Sequence, residues 1–188
     1  ASICASVNEE IVHGIPGDRS LEEGDIIGLD VGAIVEGFHS DSAFTVGVGK
    51  ISRKASRLID ITRRSLEIGI SQVRNGARVG DVSEAVQVYA ESQGYGVVRQ
   101  YVGHGIGREM HEDPQVPNVG VRGRGPVLRQ GMAICIEPML NVGGWETLQL
   151  DDGWTVVTAD GSLSAHFEDT IAITDNGVEN LSSPRDFA

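Results

Sequence analysis

The spacing of apolar positions changes several times along the chain, and each change marks a predicted element. Residues 26–35 (Ile-Ile-Gly-Leu-Asp-Val-Gly-Ala-Ile-Val) are rich in β-branched residues and predict a strand. Glu36-Gly37 supplies a turn, and residues 38–48 return as a second strand, so the pair predicts a hairpin. Over residues 53–73 the spacing of Leu58, Ile61, Leu66, Ile70 and Val73 suits an amphipathic helix capped by Ser52. A second helix is predicted from Val82 to about Gln93, with Asp81 and Glu84 at capping-box spacing and Gly94 ending the pattern. Strand-like runs follow around Val97–Val102, Met132–Leu140, Thr155–Val157 and His166–Thr174. A hairpin, two helices and then further strands predict an α+β fold, with helices layered over a curved antiparallel sheet.

Composition narrows the classes. The 188 residues are 40% hydrophobic, enough for one domain spanning 1–188 with a substantial core. No apolar run reaches the length of a membrane span, and residues 1–6 lack the basic start and long apolar stretch of a signal peptide. A net charge of −12 argues against phosphate-backbone binding, and no direct nucleic-acid or membrane partner is expected. The two cysteines, Cys4 and Cys135, form no metal-ligand spacing and suit a reduced, cytoplasmic chain.

The candidate chemistry lies where polar groups interrupt apolar strands. Asp30 stands inside the 26–35 run, and a carboxylate buried there without a partner is costly. Its same-face neighbours, Gly28 and Gly32, keep that face clear of bulky groups. The turn makes Asp41 an approximate cross-strand neighbour of Asp30, and such like charges repel unless a cation lies between them. His104 sits among Gly103, Gly105 and Gly107, in a loop too unlike a phosphate loop to be one. Glu137 ends the Met132–Ile136 run just before Pro138. In the last strand His166, Glu168 and Thr170 share one face, and Phe167, Asp169 and Ile171 share the other. The alternation does not choose between Glu168 and Asp169. An oxygen-rich set with one imidazole suits Mn²⁺, Fe²⁺, Co²⁺ or Zn²⁺, and its four carboxylates exceed what one ion needs. Two ions with a water between them would imply hydrolysis.

With these residues in place, the sequence resembles the methionine aminopeptidases of the bacterial type I kind, within the pita-bread fold shared with aminopeptidase P and prolidase. The matching segments are Ser6–Pro16, Gly24–Val31, Gly37–Ser42, Gly103–Gly107, Glu137-Pro138 and Glu168–Thr170, in order, from about Ser2 to about Leu181. The resemblance implies two divalent ions (Co, Mn, Fe or Zn) held by Asp30, Asp41, His104, Glu137 and Glu168, which selects Glu168 over Asp169. It assigns Asp30 and the His104–Glu137 pair to different ions, bridged by Asp41 and Glu168. Glu137 becomes the proton shuttle, His111 the partner of the scissile carbonyl and His13 the residue that orients the substrate. Cys4, Met110 and Trp154 fall at positions lining the methionine pocket, with Met110 replacing the usual aromatic ring. The substrate implied is a peptide or nascent chain beginning with methionine, and the ribosome is a further implied partner. The run 138–167 is too short for the helical insertion of the type II enzymes. Relative to the family pattern, the N-terminal helices of the first half are missing, so the chain is expected to be N-terminally truncated and to expose an apolar face.

Each residue also has a plainer role. His39 and His166 suit supporting or surface positions better than ligation, Trp154 suits a core, and Cys4 suits a small buried hydrophobe. A proline-specific relative sharing the ligand set, and a peptide-binding relative without catalysis, are the competing readings. The second is disfavoured because such proteins lose ligands, whereas all five are present.

Overall fold

The computed structural model describes residues 2–182. Its strands are β1 (Cys4–Val7), β2 (Glu10–Val12), β3 (Ile26–Val35), β4 (Phe38–Gly47), β5 (Gly96–Val97), β6 (Gly103–Gly105), β7 (Glu112–Val116), β8 (Ala133–Ile136), β9 (Met139–Asn141), β10 (Thr147–Gln149), β11 (Val156–Thr158), β12 (Ser164–His166), β13 (Asp169–Thr174) and β14 (Gly177–Asn180). Two helices, α1 (Arg53–Ile70) and α2 (Val79–Ser92), lie between β4 and β5. The pairings between these strands are antiparallel, in sheets ordered β1-β3-β4, β10-β11-β2, β12-β9-β5 and β14-β13-β8-β6-β7.

The β3–β4 hairpin follows the apolar pattern closely. Its two-residue turn holds both Glu36 and Gly37 at positive φ, the conformation that matches the twist of the flanking strands. The register differs by two residues from the expected facing carboxylates. Asp30 lies opposite Ala43 and Asp41 opposite Gly32, so the two aspartates are diagonal neighbours on one face. The opposite face of the hairpin leaves Val31, Val35, Phe38, Phe44 and Val46 exposed, in line with the expected apolar face.

Ser52 caps α1, its Oγ accepting from the Ala55 N–H at 3.1 Å. The second helix begins a turn earlier than predicted. Asp81 sits inside its first turn and accepts from the Arg78 N–H at 2.8 Å, so the carboxylate seals the helix from within rather than preceding it. Leu58, Leu66 and Val82 from the helices pack against Ile134, Ile136, Leu140 and Ile171 from the sheet in the main core. A smaller core of Ile11, Val12, Val98, Met139 and Val156 supports the other end.

Three predicted strands are interrupted where side chains have other duties. The 132–140 run breaks at Glu137-Pro138 into β8 and β9, and the 166–174 run breaks at Phe167-Glu168 into β12 and β13. Beyond Val97 the third run leaves the ladder and becomes a loop.

Candidate metal centre

The breaks and the hairpin converge on one point. Asp30 and Asp41 come from the inner face of the hairpin. Glu168 is fastened beside them by a bridge to β4: its N–H donates to the Ala43 carbonyl at 2.8 Å, and the Ala43 N–H donates back at 3.2 Å. Thr170 locks the next step, its hydroxyl donating to the Asp41 carbonyl at 2.7 Å and accepting from the Asp41 N–H at 3.2 Å. Oxygen atoms of Asp30, Asp41 and Glu168 all lie within 4.8 Å of one another. His104 stands on β6, buried, with Nε2 3.9 Å from Asp41 Oδ2 and 3.8 Å from Glu137 Oε1. Glu137 is held at the end of β8 by its backbone carbonyl, which accepts from the Asn118 side-chain amide at 3.0 Å.

The five residues singled out in the sequence therefore meet in space. Cys135 joins them: its Sγ lies within 4.8 Å of donor atoms of His104 and Glu168. It was not among the candidates, although it stands two residues before Glu137 in the same run, the spacing that puts side chains on one face. Asp169 turns away to the C-terminal strand, where its carboxylate accepts from the Asn180 amide and the Ser182 hydroxyl.

The electrostatics of the bare cluster are unfavourable to its own charges. Burial, with the Asp41 charge next, pushes Asp30 up to about 7. Burial, with the charges of Asp30 and Asp41, pushes Glu137 up to about 8. Glu168 is driven well above the usual carboxylate range, by burial first and then by Glu137 and both aspartates. Positive charge placed among these oxygens would relieve the repulsion. Three features fit divalent cations. Glu168 Oε1 is buried without a hydrogen-bond partner. His104 Nδ1 faces the Gly105 carbonyl at 2.9 Å, a contact that needs the proton on Nδ1 and leaves the Nε2 lone pair facing the carboxylates. The donor set is four carboxylates and one imidazole, a hard, oxygen-rich environment.

A cavity of about 500 Å³ opens beside the cluster, lined by Cys4, His13, Asp30, Gly32, Met110, His111 and Trp154 among others. A second, of about 250 Å³, is lined by His13, Tyr101, His111, Glu137 and His166 among others. His13, Asp30 and His111 border both. His13 follows β2 with φ of 62°, a left-handed conformation that a side chain of this size rarely adopts. The adjoining Gly14 is tied to β1, its carbonyl accepting from the Ala5 N–H at 2.8 Å. The His13 ring packs edge-on against Tyr101 at 5.7 Å and Trp154 at 6.3 Å, and its own burial holds its pKa below the ordinary value. Trp154 is 63% exposed, so it is a rim residue rather than a core one. His111 lies against His104, ring centroids 4.3 Å apart. Gly32 is empty of side chain for a reason the sequence did not show: a Cβ there would stand 2.5 Å from the Met110 methyl.

The loop between β6 and β7 is clamped to the hairpin. The His39 N–H donates to the Gly107 carbonyl at 2.8 Å, and the Arg108 guanidinium lies 3.8 Å over the Phe38 ring. A larger cavity of about 690 Å³ lies between α2 and residues 113–126, away from this cluster.

Comparison with known proteins agrees with this geometry. Residues 1–175 match the model of metallopeptidase family M24. The methionine aminopeptidase of Clostridium perfringens is 54% identical over 181 residues, covering 96% of this chain and 73% of that protein. The crystal structure of methionine aminopeptidase from Rickettsia prowazekii superposes with a TM-score of 0.93 at 46% identity, covering 95% of this chain and 72% of that one. The prolidase from Pyrococcus horikoshii OT3 is more distant, with a TM-score of 0.76 at 25% identity, covering 96% of this chain and 47% of that one.

Proposed function

Given that the chain belongs to metallopeptidase family M24 and is a metal-dependent aminopeptidase acting on N-terminal methionine, we propose that it works with two divalent ions held by Asp30, Asp41, His104, Glu137 and Glu168. Such ions would supply a water activated near neutral pH and a polarised scissile carbonyl. Asp41 and Glu168 would be the ligands shared between the two ions. Glu168 has donor atoms near both Asp30 and His104, and Asp41 approaches His104 as well. The single observation that carries the reading is this convergence of buried carboxylates around one oriented imidazole. Mn²⁺, Fe²⁺, Co²⁺ and Zn²⁺ all suit the donors.

Glu137 takes the proton from the attacking water and returns it to the departing amine. Its place between the cluster and the smaller cavity suits a group that must reach both the water and the leaving nitrogen. His111 donates to the scissile carbonyl oxygen as negative charge builds there. His13, at the junction of the two cavities, orients the peptide across the cleaved bond. Cys4, Met110 and Trp154 form the wall against the methionine side chain. The half-buried Cys4 thiol is held above its ordinary pKa, by burial first and then by Asp30, so it contributes as a neutral surface. We place the reaction on new chain ends, in the cytoplasm beside the ribosome.

The test compares Met-Ala-Ser with an X-Pro peptide, before and after chelation. Cleavage of the first alone, abolished by chelator and restored by Mn²⁺ or Co²⁺, is expected. Faster cleavage before proline, or turnover indifferent to chelation, would overturn the reading. Glu137→Gln should abolish turnover.

A further inference from the structure

His166 closes β12 and is fully enclosed. Its backbone is fixed on two sides. The Thr45 hydroxyl accepts from the His166 N–H and donates to the His166 carbonyl, each at 2.9 Å, while β9 places Met139 opposite it in the ladder. The imidazole therefore has little freedom, yet its Nε2 is buried with no hydrogen-bond partner. Nε2 lies 3.7 Å from Oε2 of Glu137. The other oxygen, Oε1, lies 3.8 Å from Nε2 of His104. Two imidazoles thus flank one carboxylate, one at each oxygen.

Their roles cannot be the same. His104 carries its proton on Nδ1, facing the Gly105 carbonyl, so its Nε2 has no hydrogen to give Glu137. His166 is the flanking ring whose Nε2 is free to carry one. A buried donor left unmade is expensive, and 3.7 Å is longer than a hydrogen bond. Active-site bonds that are long without substrate commonly close when it binds.

We propose that His166 is a positioning residue for the reaction: its Nε2–H donates to Oε2 of Glu137 and fixes the angle at which the other oxygen, Oε1, faces the ion cluster and the attacking water. This rests on the reading of Glu137 as proton carrier. Without the donor the carboxylate can still bind metal and the peptide can still dock, but Glu137 rotates away from the angle needed for proton transfer.

His166→Leu removes the donor while filling much of the space, and His166→Gln keeps an N–H at comparable reach. On the Mn²⁺-loaded protein with Met-Ala-Ser, His166→Leu should lose about tenfold or more in kcat, as expected for a hydrogen bond to a charged group, with KM within about twofold. His166→Gln should recover most of that loss, and calorimetric titration should give unchanged Mn²⁺ stoichiometry in both. Nitrogen-15 correlation spectra of the Zn²⁺-loaded wild-type chain, in which Glu137 is ionised, should show the His166 proton on Nε2. That spectrum decides the point even if the leucine variant fails to fold. A proton on Nδ1, full kcat in His166→Leu, or equal losses in both variants would overturn the proposal. If Glu137→Gln is inactive while His166→Leu is normal, only this inference falls. If Glu137→Gln turns over normally, the proton-carrier reading falls first.

Discussion

At the residue scale, the proposed roles separate groups that would hold ions from groups that would face the peptide. His111 borders the cavity of about 500 Å³ and touches the ring of His104 without belonging to the carboxylate cluster. His111→Ala should therefore bind metal with normal stoichiometry, while kcat falls by roughly a hundredfold, the usual scale for removing an oxyanion donor. Metal analysis alongside steady-state kinetics checks this, and loss of metal would show that His111 supports the ions instead. Gly32 makes a different point. Alanine there would press on the Met110 methyl, the flexible tip of an unbranched side chain, so the fold should lose less than about 1 kcal/mol. The pocket wall, however, must shift. Competition between Met- and norleucine-initiated peptides should change for Gly32→Ala, and an unaltered ratio would place Met110 outside the contact surface.

At the element scale, the hairpin and α1 were legible because their apolar spacing is regular. The site was legible for a related reason: Asp30 interrupts an apolar run and Glu137 ends one, and carboxylates so placed are costly unless used. What the pattern missed lies where a residue serves two masters. Glu137-Pro138 and Phe167-Glu168 look like strand, yet the turn of chain that aims each glutamate breaks the ladder. The start of α2 was misplaced because Asp81 inside the first turn and an aspartate preceding it give the same sequence signature. Periodicity gave no hint of the diagonal register of Asp30 and Asp41, or of the Met110 contact beneath Gly32, since both depend on chain segments meeting across the fold. The energetics of α1 rank its features. Ser52→Ala should cost about 1 kcal/mol through loss of the cap. Leu58→Ala, wholly buried in the main core, should cost about 2–5 kcal/mol. Urea unfolding of both variants checks the order, and a cap loss exceeding the core loss would contradict it.

At the scale of the whole molecule, the cluster ties stability to pH and to metal. Without ions, folding raises the proton affinity of Asp30 from an ordinary 3.8 to about 7 and of Glu137 from 4.5 to about 8. The folded chain then holds more protons than the unfolded one, so stability falls as pH rises towards those values. His13, His104 and His166 act in the opposite sense, because burial holds each below 6.5 and disfavours the folded state in acid. Above pH 6.5 only the carboxylates remain in play. The thermal midpoint of the chelated chain should fall between pH 6.5 and 8, and saturating Mn²⁺ should flatten that slope. A midpoint indifferent to pH over this interval would show that the acidic groups do not repel one another in the folded chain. The clamp between the hairpin tip and the loop carrying Met110 and His111 has a further consequence. Because the backbone bearing the aspartates is bolted to the backbone bearing Met110 and His111, the carboxylate cluster and the wall of the adjoining cavity share a single chassis. Taste for different N-terminal residues can drift through exchange of side-chain tips such as Met110, whereas an insertion on either side of the bolt would spoil recognition and catalysis together.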